Sequence, residues 1–268
     1  MLNFKLKIPF SWQGIFSALM FFYMYLPILV LTFYSVNQSA YSTEWQGFTW
    51  KWYTRLFQDS RILQALQNSL TVAIVAVAIS AVIGTLMAVG LARYQFPGKT
   101  IYRGISYLPL IIPDIAIAVA TLVFLAVIGT SLSLWTIIAA HVVFCLSYIA
   151  FVVSSRISSL NPHLEEAALD LGATPFQAFV KVLLPELMPA IIAGCLISFV
   201  LSMDDFLIAS FTSGTGSNTL PMEIFSRIRM GVRPDINALS VMLILGSASL
   251  AIVAELIRYR GEQKRFHQ

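Results

Sequence analysis

The feature that most restricts this chain is a series of six nearly uncharged stretches, at 14–36, 66–92, 106–128, 132–155, 190–212 and 238–257. A helix needs roughly 20 apolar residues to cross the ~30 Å hydrocarbon layer of a bilayer, and each stretch is long enough. Backbone groups inside a bilayer find no water to bond, so such stretches must pair their own N–H and C=O groups as helices. The chain is therefore predicted to be all-α, a polytopic membrane protein with six transmembrane helices in a single domain, 1–268. Its 268 residues are 58% apolar and 11% charged, against about 25% charged in soluble domains. That leaves too little polar surface to cover a fold in water, and no length for a large soluble domain. Lys5 and Lys7 precede the first stretch as they would in a signal peptide. Its apolar length exceeds the roughly 7–15 residues of a signal core, so a retained helix is expected.

Orientation follows from the positive residues between the stretches. With the N-terminus inside, Lys5, Lys7, Arg93, Lys99, Arg103, Arg156, Lys181, Arg258, Arg260, Lys264 and Arg265 are cytoplasmic, eleven of the 17 lysines and arginines. Both termini are then cytoplasmic, in a bacterial inner membrane. The basic balance reflects anionic lipid headgroups, and no nucleic-acid partner is expected. Trp12, Tyr34, Tyr94, Tyr102 and Trp135 lie near the ends of stretches, where amphipathic rings anchor at the interface. Cys145 and Cys195 sit in apolar runs as packing residues. His141 also lies inside a run, as a polar contact between helices. No metal-ligand cluster, serine nucleophile elbow or Gly-rich phosphate loop occurs. The chain is predicted to be no enzyme, with no catalytic or metal residue.

The one long polar insertion on the inner side, about 157–188, is patterned. Asn161 is placed to cap a helix and Pro162 suits its first position. Leu164, Ala167, Ala168 and Leu171 then share a face. Gly172 stands where a helix end favours a left-handed residue. Thr174 with Gln177 makes a capping box around Pro175. A second helix follows, carrying Phe176, Phe179, Val180 and Leu183, and Leu184-Pro185 is expected to end it. A helix, a sharp turn and a helix with an apolar face form a peg suited to a partner's groove.

Glu166-Ala167-Ala168, then Gly172 after three residues and Val182-Leu183-Leu184-Pro185 after nine more, resembles the EAA motif of permease subunits in binding-protein-dependent ABC importers. Only Val182 departs from the usual isoleucine. The resemblance implies that the loop is a cytoplasmic coupling-helix loop seated in a cleft of a nucleotide-binding subunit, with Glu166, Ala167, Ala168, Gly172, Leu184 and Pro185 as coupling residues. It also implies a second similar permease, two copies of a cytoplasmic ATP-binding subunit and an extracytoplasmic solute-binding protein. This chain itself would bind no cofactor, because the partner ATPase binds the ATP. An amphipathic hairpin lying on lipid is disfavoured by Glu165, Glu166, Asp170 and Glu186, which an anionic leaflet would repel.

Three acids lie at membrane depth, where a charge costs at least ~2.5 kcal/mol. Asp114 follows Pro109 and Pro113, where the third helix should start or kink. Asp204 and Asp205 are adjacent in the fifth stretch. Neighbours on a helix diverge by ~100°, so both face one small site only if the helix is unwound. This geometry opposes an aspartic-protease dyad. Two readings stand for each acid: a cation-attracting site, or a carboxylate bonded between helices or at the outer rim. The segments Ser202-Met203-Asp204-Asp205-Phe206, Ser210-Phe211-Thr212-Ser213-Gly214, Leu220-Pro221 and 230–238 resemble permeases of spermidine and putrescine importers. The resemblance implies a polyamine-binding protein as the extracytoplasmic partner and Asp204, Asp205, Asp114, Phe206 and Phe211 along the substrate pathway. Carboxylates and aromatic faces would suit a linear cation. The alternatives are an importer permease for another small solute, or an ion-coupled secondary transporter with one aspartate carrying the proton.

Overall fold

Every long apolar stretch that is described is helical, as a chain with no water to bond its backbone must be. The computed structural model describes residues 12–39, 44–161, 163–231 and 234–249. Among them the sole strand-like pairing is an isolated bridge between Asn37 and Phe48. They fall into two compact units, the described parts of Met1–Asp59 with Arg227–Ala248, and those of Ser60–Ser226 with Ser249–Gln268.

In the first unit, α1 (Trp12–Tyr34) is apolar and buries none of its side chains within the chain. A helix hydrophobic on all sides belongs in a membrane. Beyond it the buried Asn37 organises a turn. Its Nδ2 donates to the Glu44 carbonyl at 2.6 Å and its Oδ1 accepts the Gln46 N–H at 3.0 Å. Trp52, on α2 (Lys51–Leu56), donates its indole N–H to the Asn37 carbonyl at 2.7 Å, which brings the ring over the turn. Arg227 pairs with Asp59 at 2.8 Å and lies 3.5 Å from Asp235, so one guanidinium serves two carboxylates.

The second unit is built on three long helices, α3 (Ser60–Arg93), α6 (Leu134–Ser159) and α9 (Leu184–Asp204). Lipid tails are as apolar as leucine, so helices associate in a bilayer by close packing of small residues and by interhelical hydrogen bonds. Both devices are present. A Cβ on Gly84 of α3 would stand 3.0 Å from the Leu146 carbonyl of α6, and one on Gly194 of α9 would stand 3.2 Å from the Ile149 Cα. Ala88, Ile149, Ala150, Val153, Leu183 and Leu187 fill the space between. Ser80 donates its hydroxyl to the Val142 carbonyl at 3.2 Å.

Two expectations about helix boundaries are corrected, and the break predicted at Asp114 is present. The third stretch, 106–128, is broken: α4 (Lys99–Tyr107), which ends inside it, runs into a 3-10 turn at Leu108–Leu110 and is bent by 109° from α5 (Asp114–Val127). Pro109 and Pro113 cannot both sit inside one helix, so the chain restarts at Asp114, where the sequence predicts a start or kink. The fifth stretch, predicted as one helix over 190–212, is α9 followed by α10 (Leu207–Thr212). Leu184-Pro185 does not end a helix. From α8 (Pro175–Ala178) the chain passes through a π-turn at Phe179–Leu183 directly into α9, giving one 30-residue span, Pro175–Asp204. The wider turn lets Pro185 enter among the first residues of the next segment, where its missing N–H costs nothing.

The inner loop opens later than its sequence suggests. α7 is Leu164–Asp170 with His163 at its N-cap, because the Asn161 side chain spends itself on the His163 N–H at 3.0 Å. Pro162 lies outside the described residues. Among the described residues, four single helices are long and apolar enough to cross a membrane, and the bent pair makes a fifth. The sixth predicted stretch, 238–257, is helical through residue 249 and its remainder lies outside the described residues.

Candidate functional site

No proline or glycine marks the interruption between α9 and α10. Asp205 makes it. Its backbone is extended, with φ −67° and ψ 122°. Its Oδ1 accepts the Ile208 N–H at 3.2 Å and its Oδ2 accepts the Ala209 N–H at 2.7 Å. The carboxylate thus satisfies two donors that the start of α10 would otherwise leave unpaired, at the positive end of that helix. His141, fully buried on α6, closes over the same group. Its Nδ1 is 2.7 Å from the Ser202 Oγ and its Nε2 lies 3.2 Å from the Asp205 Oδ2. The second contact is too oblique for a hydrogen bond, so Nε2 is a buried polar atom beside a carboxylate without an aligned partner. Serine, histidine and aspartate in a row have the order of a hydrolytic triad, but Ser202 is 4% exposed and no acyl substrate reaches it.

Asp204 stands differently. It is the last residue of α9, exposed, and has no hydrogen-bond or ion-pair partner among the described residues. The unpaired carbonyls of a helix end carry partial negative charge, so a carboxylate there is unfavourable alone and favourable with a cation. Asp114 is exposed too, but as the first residue of α5 it lies at a helix N-terminus, which stabilises its charge by about 0.3–1 kcal/mol. Phe206, half-buried in the interruption, meets Phe225 with ring centroids 4.4 Å apart. Phe211 packs against the cluster of Ala118, Ala140, Phe144, Cys145 and Ile208, which joins α5, α6 and α10. Beyond α10, a Cβ on Gly214 would overlap the Leu132 backbone, and Thr136 donates its hydroxyl to the buried Thr212 carbonyl at 2.7 Å.

The loop between α6 and α9 is a well-formed peg. Gly172 has φ +89°, the Gly172 N–H bonds the Leu169 carbonyl at 2.9 Å, and the Ala173 N–H bonds the Ala168 carbonyl at 3.1 Å. This is a Schellman ending, which needs the left-handed residue at Gly172. Thr174 and Gln177 form the predicted reciprocal capping box. Glu166, Ala167 and Pro185 are exposed, while Ala168 and Leu184 are half-buried. Leu171 and Phe176 are 89% and 74% exposed, an apolar tip on either side of the turn. Two ion pairs fix its base: Arg93 of α3 with Glu165 at 2.9 Å, and Arg156 of α6 with Glu186 at 3.0 Å.

The divergence expected of neighbouring Asp204 and Asp205 is present, with Asp204 exposed and Asp205 largely enclosed, whereas the pairing of His141 with Asp205 and the close approach at Gly214 have no local sequence pattern. The single polar ring of His141 in an apolar run is the only signal that pointed there.

Residues 80–266 match the family model described as binding-protein-dependent transport system inner membrane component. The chain is 40% identical over 261 residues to the putrescine transport system permease protein PotI of Escherichia coli (strain K12), covering 95% of this chain and 93% of that protein. It is 38% identical over 248 residues to the spermidine/putrescine transport system permease protein PotC of Haemophilus influenzae, covering 92% and 96%. Among solved structures, a chain of a bacterial ABC transporter involved in the import of the acidic polysaccharide alginate superposes with a TM-score of 0.73 at 18% identity, covering 94% of each chain. A chain of the MetNI methionine ABC transporter does so with a TM-score of 0.59 at 22% identity, covering 78% of this chain and 97% of that one. At these identities the likeness is one of fold.

Proposed function

The chain belongs to the family of binding-protein-dependent transport system inner membrane components, and from that premise we propose that it is the permease subunit of an ATP-driven importer of polyamines. The observation that carries the substrate class is Asp204, an exposed acid without a partner among the described residues, on the negative end of α9. A linear cation supplies what that position lacks: an ammonium group to offset both the carboxylate and the helix end. Asp114 offers a second acid, and Phe206 with Phe225 an aromatic face for the alkyl chain or a second ammonium. Relatives named for putrescine and spermidine transport support the same class.

In this reading six helices span the inner membrane with both termini in the cytoplasm, and lipid covers α1. The path runs between this subunit and a second, similar permease. An extracytoplasmic polyamine-binding protein delivers the solute, and two ATP-binding subunits sit on the cytoplasmic side. ATP is bound and hydrolysed there, and this chain does no catalysis and carries no cofactor. The peg from Leu164 to Ala178 enters the ATPase, with Glu166, Ala167, Ala168 and Gly172 at the contact and Leu184 and Pro185 at its root on α9. ATP-driven closure of the ATPase pair then biases the two access states of the permease through α7, α8 and α9.

Uptake of labelled putrescine into vesicles holding the full assembly tests this. ATP-dependent uptake that an uncoupler leaves intact is the expected result. Uptake that survives ATP omission and collapses with the uncoupler would make the chain an ion-coupled carrier instead.

A further inference from the structure

His141 makes no contact with the exposed acid assigned to the substrate, yet it is the most deeply buried polar ring of the second unit and its two nitrogens meet two different segments, the last turn of α9 through Ser202 and the interruption through Asp205. We propose that His141 is a positioning residue that gives the two adjacent aspartates separate tasks: it keeps Asp205 folded back as the cap of α10 and leaves Asp204 as the carboxylate presented to the substrate. The inference deepens the polyamine reading and rests on it.

Four observations converge. The Asp205 side chain is 10% exposed, so an ammonium cannot reach it while the Ile208 and Ala209 N–H groups and the imidazole surround it. A carboxylate removed from water needs such donors, and two from one short helix leave a face that His141 covers. The ring fits this place with Nε2–H turned to Asp205 and Nδ1 facing the Ser202 hydroxyl. The oblique Nε2 contact fixes the side of the carboxylate without locking its angle. Without the ring, Asp205 has no reason to stay turned inward, and two like charges would compete for one cation.

Kinetics of ATP-driven putrescine uptake by the full assembly separate the two acids. Asp204→Asn is expected to raise KM about tenfold, while His141→Ala and Asp205→Asn each lower the maximal rate about tenfold with KM within about threefold. The double variant His141→Ala with Asp205→Asn should be no slower than the slower single, because both act through one contact. His141→Gln, whose amide nitrogen takes the place of Nε2, should recover to within about threefold of the parent rate, and His141→Asn, which reaches only the Nδ1 position, should not. A KM rise in His141→Ala as large as in Asp204→Asn, rescue by Asn rather than Gln, or multiplicative losses in the double variant would each overturn the positioning role. A parent assembly that accumulates no polyamine would defeat the substrate reading alone. The His141 and Asp205 cycle is then read from the thermal unfolding midpoint of the purified assembly, which needs no solute. Additive shifts there overturn the positioning role, and non-additive shifts uphold it.

Discussion

Two apolar stretches of the second unit are interrupted beside an aspartate, and they are interrupted by opposite means. Between α4 and α5 the backbone does the work: Pro109 and Pro113 forbid a continuous helix, the chain bends by 109°, and Asp114 follows at a helix N-terminus that stabilises it. Between α9 and α10 there is no proline or glycine. Side chains from two helices hold the interruption open: Asp205 caps α10, His141 covers Asp205, and Ser202 orients His141. One break is written into local covalent geometry. The other exists only in the folded protein, and it leaves Asp204 on a helix end that repels it. An acid kept where the backbone opposes it is the stronger pointer to a cation.

The largest effect should come from the end of α10. Gly214→Ala places a methyl group on the Leu132 backbone, costing about 3 kcal/mol of overpacking. Loss of most folded subunit from the purified assembly, by size-exclusion yield, is the expected result. Normal yield would show that the side-chain-held break does not depend on this packing.

Next come the two acids themselves. Asp205→Ala removes a helix cap and strands a buried ring, at a cost of about 2–3 kcal/mol. Asp114→Ala removes only a helix-end charge, at about 0.5 kcal/mol. Unfolding midpoints of the assembly should therefore fall clearly for the first and little for the second. Equal shifts would erase the distinction between the two interruptions.

The turn at Gly172 is a third break, written in the backbone like that at Pro113. Gly172→Leu forces a left-handed residue with a side chain, at about 1–2 kcal/mol, with open space around its Cβ. The subunit should stay folded and inserted while ATPase co-purification and ATP-driven uptake drop. Intact co-purification with full uptake would remove Gly172 from the coupling contact.

The difference between the breaks also decides what was legible in the sequence. The all-helical membrane fold, the helix start at Asp114, the turn at Gly172 and the capping box at Thr174 were readable, because each rests on residues within a few positions of one another. Pro185 misled: a proline normally ends a helix, and only the π-turn at Phe179–Leu183 lets the span run on. The fifth stretch reads as one helix because no proline or glycine stands at its break. Its interruption depends on His141, more than 60 residues earlier on α6. The adjacency of Asp204 and Asp205 implies that they point apart, and burial shows which of them faces outward.

Competition for ATP-driven uptake of labelled putrescine, in vesicles holding the full assembly and with polyamines, amino acids and sugars as competitors, tests the central claim most directly. A polyamine permease is expected to be inhibited by unlabelled putrescine and spermidine and by nothing else in the panel. Indifference to polyamines, with ATP-driven uptake of a neutral or anionic solute instead, would contradict a cation site at Asp204.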